Sequence, residues 1–308
     1  MFGFQRQARG SRNEEAGFRS QESGFRNKDK NLFLLSSGLF FPVSSLPVPF
    51  LIRFLMPLYK TPAVILHTTP YGESDLIVSL YTLDFGKVKG IAKGAKRSRK
   101  RFGNRLEIGS YVSVTYFEKE SAGLVRLSDS DLIRPFSGLR EDICKLAWAS
   151  YFIELVNEMT AEKIENKPVF RLLIAFLALV DKGILKEEVQ RVFEIRFLSY
   201  LGYRPQLDYC TRCQKNASGE KFFFSPWEGG IICYSCAANV PGLIPVSLGT
   251  VKTLLLAQIL PLDKVGRISF SPQSLEESQA LLSSFLRQYL GKELKSKKFI
   301  EQIKPNAE

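Results

Sequence analysis

Histidine is almost absent from this 308-residue chain: His67 stands alone. A single imidazole leaves no His-dependent nucleophilic centre and no His-rich catalytic metal site to assemble. Cysteine is scarce as well. There are five, and four of them sit in two tight pairs, which is not the spacing of a secreted disulfide framework. No P-loop and no dinucleotide-binding glycine fingerprint occurs. Clustered carboxylates for Mg²⁺ are also wanting. Asp129 and Asp131 form the one neat pair, and they are expected to flank a turn. Apolar runs are short or broken. Residues 31–52 carry no charge, but Pro42, Pro47 and Pro49 would break a helix there, and the twelve residues Val169–Val180 are too few to span a bilayer. These absences argue against an enzyme, a membrane protein and a small-molecule substrate.

Acidic residues are missing where basic ones are richest. Lys87, Lys89, Lys93, Lys96, Arg97, Arg99, Lys100, Arg101 and Arg105 follow one another with no Asp or Glu between them. The whole chain has 43 Lys and Arg against 31 Asp and Glu, a net +12, so these nine cations supply most of the imbalance. A field this local attracts a polyanion, and nucleic acid is the first candidate. The competing reading is an ordinary solvated, lysine-rich loop.

The first 55 residues differ from the rest. Gly3-Phe4-Gln5, Gly17-Phe18-Arg19 and Gly24-Phe25-Arg26 repeat a short unit in a polar background with no periodicity, the composition of a disordered segment. Met56 is followed at once by patterned sequence. Residues 1–55 are therefore expected to be a misassigned start, with a poorly ordered extension or a membrane anchor as the alternatives.

From residue 56 to 136 the pattern is a run of short strands: Ala63–Leu66, Asp75–Leu83, Gly86–Ala95, Tyr111–Phe117 and Leu124–Ile133, punctuated by glycines. Five strands in this length suit a small closed barrel, with the OB-fold as the leading choice. The basic run lies on the third strand and the connection to the fourth. Phe102, Tyr111, Tyr116 and Phe117 are near it in sequence, and basic residues interleaved with aromatics suggest single-stranded nucleic acid. Tyr111 and Tyr116 have opposite parity on one strand, so one of them faces the core.

Helical periodicity follows over Glu141–Met159, Val169–Val180 and Glu187–Leu201, with Gly202 closing the last. Cys144 is expected to be a small buried residue. Cys210, Cys213, Cys233 and Cys236 then form C-x2-C, 19 residues, C-x2-C. Two such knuckles converge on one tetrahedral ion, and four thiolates leave no open position, so a bound Zn²⁺ would be structural. A metal-free set of reduced or paired thiols is the alternative. Phe222–Phe224 and Gly229–Ile232 read as a hairpin between the knuckles. Arg212, Lys215 and Lys221 are balanced there by acids, which favours a stapling or protein-contact role over a nucleic-acid one. Beyond it, Ser247 is expected to cap one helix, Ser274 to open another as a capping box with Glu277, and Gly291 to close it. Lys292, Lys295, Lys297 and Lys298 follow as a solvated or dipole-complementing helix end, with a secondary phosphate contact as a further option. The fold class is α+β: residues 56–136 as a five-stranded OB-fold barrel, 137–206 and 240–304 as an all-helical domain, and 207–239 as a zinc ribbon inserted in it.

Four segments carry a family resemblance: Ala92–Phe102 (AKGAKRSRKRF), Phe197–Leu207 (FLSYLGYRPQL), the cysteine quartet that follows it, and Tyr289–Phe299 (YLGKELKSKKF). In this order and spacing the chain from Met56 to Ile303 resembles the bacterial RecO family of DNA repair and recombination mediators, in its zinc-bearing form. The resemblance implies a non-enzymatic protein that binds single- and double-stranded DNA and anneals complementary strands. It implies partnership with RecR and with single-strand DNA-binding protein, and, indirectly, loading of the RecA recombinase onto gaps. It also implies one structural Zn²⁺ and a cytoplasmic, nucleoid-associated location. Residues 1–55 have no counterpart in the family. The alternative function is a zinc-ribbon RNA-binding or transcription-associated protein, because the same charge would serve RNA. A nuclease or transferase is a third class, and the missing carboxylate cluster speaks against it.

Overall fold

The computed structural model describes residues 57–98, 100–118, 123–217 and 221–303, and the expectations for residues 1–55 lie outside them. The first five strands are β1 (Leu58–Tyr71), β2 (Asp75–Thr82), β3 (Gly86–Ala92), β4 (Tyr111–Phe117) and β5 (Val125–Arg134). They close into a barrel in the order β1-β2-β3-β5-β4, with β3 and β5 parallel and every other pair antiparallel. Alternation drives it: on β4 the inward Val112, Val114 and Tyr116 are buried, while Tyr111, Ser113, Thr115 and Phe117 between them are half-buried. The barrel core adds Ala63, Ile65, Val78, Leu80, Val88, Leu127 and Phe102.

β1 is much longer than the Ala63–Leu66 segment that its β-branched run indicates. It serves two neighbours in turn, pairing β4 over Leu58–Val64 and β2 over Ala63–Tyr71, with a bulge between Ile65 and His67. Pro62 and Pro70 both lie within it. β3 ends at Ala92, three residues before the expected Ala95, because Gly94 turns the chain at φ 66°. Asp129 and Asp131 lie within β5 and do not flank a turn.

The helices are α1 (Ile143–Met159), α2 (Lys167–Asp181), α3 (Glu187–Tyr200), α4 (Leu248–Ile259), α5 (Pro272–Leu290) and α6 (Lys295–Ile303). Between α3 and α4 come the hairpin strands β6 (Phe222–Ser225) and β7 (Gly230–Cys233), and β8 (Ile244–Val246) adds a third strand to β6. The helical core runs through Phe152, Phe176, Phe193 and Phe197, and it takes in Phe222, Phe224 and Ile231 from the hairpin. Inside it Glu194 binds Arg191 at 2.6 Å and accepts the Tyr151 hydroxyl, a buried polar group with its partners beside it. Among the described residues no helix is long and apolar enough to cross a membrane.

Gly291 closes α5 in the left-handed conformation as expected, but the start of that helix departs from the local signal. α5 begins at Pro272 with Ser271 as its N-cap, its hydroxyl accepting from Ser274 N at 3.1 Å, so Ser274 and Glu277 are not a capping box. Ser247 caps α4 as expected, its hydroxyl accepting from Thr250 N at 3.3 Å, and Glu277, 30 residues away in sequence, supports that cap by accepting from Ser247 N at 2.8 Å and Thr250 Oγ1 at 2.6 Å. Lys295, Lys297 and Lys298 open α6, the wrong end for a cation to complement the dipole. Glu154 supplies the charge that suits that end, accepting from Lys295 N at 3.1 Å and Ser296 N at 2.8 Å. Cys144 is half-buried in the first turn of α1, where Asp142 Oδ1 accepts its N–H at 2.6 Å.

The barrel and helices share a core. Val64, Leu66 and Tyr81, on the outer face of β1 and β2, join the helical cluster, and Tyr81 stacks on Phe170 of α2 with centroids 6.5 Å apart. The α1–α2 connection lies against the start of β3. Lys163 N donates to Lys87 O at 2.9 Å, and a Cβ on Gly86, whose φ is 64°, would sit 1.9 Å from Ile164 O. Only glycine fits that contact.

Candidate functional site

The chain between β3 and β4 is a series of turns held at both ends. Gly94 N donates to Asp75 Oδ1 at 2.7 Å, and Lys96 N donates to Ser74 O at 3.0 Å. The Gly94 hydrogen bond keeps the Asp75 carboxyl below its ordinary pKa. Ser98 N returns to Gly94 O at 2.9 Å, and Phe102 N in turn reaches Ser98 O at 3.2 Å. Phe102 then enters the barrel core at 0% exposure. Arg105 fixes the far end, with its guanidinium donating to Ser130 O at 2.7 Å and Lys100 O at 3.1 Å.

This architecture divides the basic run. Lys87 Nζ donates to Asn157 O at 2.7 Å, and burial lowers its pKa. Lys89 pairs with Glu162 at 2.7 Å. Arg105 is spent on carbonyls of its own surroundings. Lys93, Lys96, Arg97, Lys100 and Arg101 are exposed together on the turns, Arg101 while donating to Lys93 O at 3.0 Å and Ser98 Oγ at 3.1 Å, and Arg99 lies outside the described residues. Glu73, at the tip of the β1–β2 hairpin, reaches this group, 3.4 Å from Arg97. The result is a rigidly anchored, solvent-facing cluster of cations with little internal neutralisation, suited to a polyanion's phosphates.

The aromatics near the basic run in sequence do not accompany it to the surface. Phe102 and Tyr116 are 0% and 2% exposed in the barrel core. Tyr111 turns toward the helices and meets Phe170 edge-on at 5.9 Å. Phe117 is half-buried on the outer face of β4. Sequence proximity therefore picked three aromatics that build the fold. It passed over Arg126, an exposed outer-face cation on β5 beside Ile91 of β3, because it is separated from the run in sequence.

The second cluster is the cysteine quartet. The four Sγ atoms of Cys210, Cys213, Cys233 and Cys236 lie within 4.8 Å of one another. Four thiolates about 2.3 Å from a tetrahedral ion are about 3.8 Å apart, and Cys213 and Cys233 are 3.7 Å apart. Burial opposes ionisation of Cys210, but the N–H groups of Cys213, Cys233 and Arg212 aimed at its sulfur outweigh it and bring the thiol to about 6. Cys236 is pushed up to about 12, chiefly by its hydrogen bond with Cys233. A cation held among the four would favour the thiolate at each. Donor type, number and spacing thus fit a soft tetrahedral metal ion. Arg212 and Glu228, paired at 2.8 Å, brace the knuckle from outside.

Comparison with known proteins covers both parts of the chain. Residues 56–136 match the family model described as recombination protein O N terminal, and residues 140–298 match that described as recombination protein O C terminal. A DNA repair protein RecO from Syntrophus aciditrophicus is 40% identical over 248 residues, covering 80% of this chain and 96% of its own length. That of Desulfatibacillum aliphaticivorans is 38% identical over 255 residues, 81% of this chain and 98% of its own length. That of Bacillus pumilus is 32% identical over 246 residues, 80% of this chain and 94% of its own length. A barrel and a helical part that each match, in the same order and over nearly the whole of these relatives, place the chain in one family: it belongs to the RecO family of DNA repair proteins.

Proposed function

We propose that this chain is a non-enzymatic DNA repair and recombination mediator whose barrel holds DNA through the turns between β3 and β4. The observation that carries the reading is the group of exposed cations Lys93, Lys96, Arg97, Lys100 and Arg101 on a loop anchored by Phe102 and Arg105. Phosphate contacts position a strand without reading its sequence. Two complementary strands drawn onto one cationic surface repel each other less, and they anneal there. In this reading the protein binds single- and double-stranded DNA. It meets RecR and the single-strand DNA-binding protein at gaps and helps RecA take that protein's place. It works in the cytoplasm, at the nucleoid. One Zn²⁺ on Cys210, Cys213, Cys233 and Cys236 holds the hairpin segment in shape. A shell of four protein sulfurs offers no site for water or substrate.

The test is a strand-annealing and binding experiment over a range of salt. If about six cations of the loop neutralise phosphates, log affinity for single strands falls with log salt at a slope of about −4. Charge reversal at Lys96, Arg97 and Arg101 flattens that slope and slows annealing for every sequence alike. A salt-insensitive affinity, or a marked preference for RNA over DNA of the same sequence, overturns the assignment.

A further inference from the structure

The outer face of the barrel is covered at one end and open at the other. Residues directly opposite each other in paired strands share a face, so the register defines rows. The row of Tyr81 and Lys87 is sealed by Phe170 and Asn157 of the helical part. The next row, Ser79 and Lys89, reaches Asn157 at 3.1 Å and Glu162 at 2.7 Å. The row after that joins Thr69, Ile77, Ile91, Arg126 and Phe117 across all five strands. Here Thr69 and Arg126 are exposed, and the two isoleucines and Phe117 are half-buried. One pleat further on, Tyr71 stands opposite Asp75 and is 55% exposed. Asp75 is the residue that takes the Gly94 N–H at 2.7 Å, so Tyr71 adjoins the start of the cationic turns.

We propose that Tyr71, with the strip that ends at Phe117, receives the bases of a single strand while the neighbouring cations hold its phosphates. The proposal rests on the reading of those turns as a DNA surface. An exposed phenol ring offers a face on which any base stacks. Ile77 and Ile91 provide an apolar floor beside it, and Arg126 a planar cation over the same row. A duplex buries the faces of its bases and presents mainly phosphate. The strip therefore engages unpaired bases, and it gives the surface a preference for single strands that charge alone does not. Adjacency to five exposed cations favours nucleic acid over a protein segment as its occupant.

The experiment uses the full chain, a single-stranded oligonucleotide carrying 2-aminopurine, and a duplex of the same length. Tyr71→Ala is expected to weaken single-strand binding about 5- to 100-fold and to abolish the change in 2-aminopurine emission, while Tyr71→Phe stays within about twofold of the original protein. Duplex affinity and the salt slope stay as they were, since the cations are untouched. Equal loss on both substrates, or no loss on either, overturns the stacking assignment. A Lys93→Glu, Arg97→Glu protein separates the two readings. If it still binds with full salt dependence while Tyr71→Ala does not bind single strands, the cationic reading falls and the stacking one stands. The opposite pattern removes the stacking assignment alone.

Discussion

Arg101 and Phe102 are adjacent in sequence and opposite in role: the Phe102 ring is fully buried in the barrel, and the Arg101 guanidinium lies outside, 5.2 Å from its centroid. Phe102 fixes the loop, and Arg101 before it presents charge from it. Phe102→Ala should cost about 3–5 kcal/mol of stability through lost burial and a cavity. Arg101→Ala should leave the melting temperature nearly unchanged and reduce the salt slope of DNA binding by somewhat under one unit. Thermal melts beside salt titrations of both variants check the division.

Glu73 is a carboxylate that pairs with a cation of the proposed DNA-binding loop, 3.4 Å from Arg97. Its pair is exposed on both sides, so it is weak and screened. Glu73→Gln is expected to raise affinity for single strands by up to about fivefold at low ionic strength and to lose that advantage in high salt. A lower affinity at low salt would show that Glu73 positions Arg97 for DNA instead of occupying it.

Lys87 and Lys89 belong to the basic run in sequence but face Asn157 and Glu162. Lys87→Met and Lys89→Gln should leave the salt slope of DNA binding intact. Lys87→Met should lower the melting temperature more, because it leaves a carbonyl without its donor in a half-buried site. Equal loss of DNA affinity in these variants and in Lys96→Gln would contradict the division drawn for the nine cations.

Glu277 links α5 to the start of α4. Burial by itself would raise its pKa, but hydrogen bonds from Thr250 and Ser247 outweigh that and hold it below the ordinary 4.5. A depressed carboxyl contributes stability that is present above pH 4.5 and is lost as pH falls through the folded value. Glu277→Gln should therefore cost about 1 kcal/mol near neutral pH, the usual size of a lost cap. The gap between the two proteins should close below pH 4.5. Urea unfolding as a function of pH reads it.

Removal of metal tests the cysteine quartet separately from the barrel. A strong thiol-competitive chelator should release one Zn²⁺ per chain, lower the melting temperature and speed proteolysis between Leu207 and Asn239. The salt slope of DNA binding should persist, because the cationic turns are anchored by Asp75, Phe102 and Ser130 and not by the ribbon. Simultaneous loss of both would mean that the metal supports the barrel as well.

Much of this was legible in the chain. Strict alternation over Tyr111–Phe117 gave β4 at its observed bounds. The parity of Tyr111 and Tyr116 correctly split them between two faces, since a strand repeats every second residue. The spacing of the four cysteines already implied their convergence, which the sulfur positions bear out. What misled was locality. Ser274 and Glu277 match a capping box, yet Ser271 takes that place and Glu277 turns to a different helix. The length of β1 was hidden because its two halves answer to different partners, β4 and β2.

Order along the chain is enough to give what depends on near neighbours: the strand and helix periods, the concentration of nine cations without an acid, and the two cysteine knuckles. Which of those cations find partners within the protein depends on the fold. Lys87, Lys89 and Arg105 are tied up by Asn157, Glu162 and Ser130, groups 25 to 73 positions away along the chain. A charged side chain pairs with whatever the fold brings within a few ångströms. For the same reason the aromatic beside the exposed turns is Tyr71, brought there by the register of β1 against β2, while Phe102, within the run itself, is the ring the barrel buries.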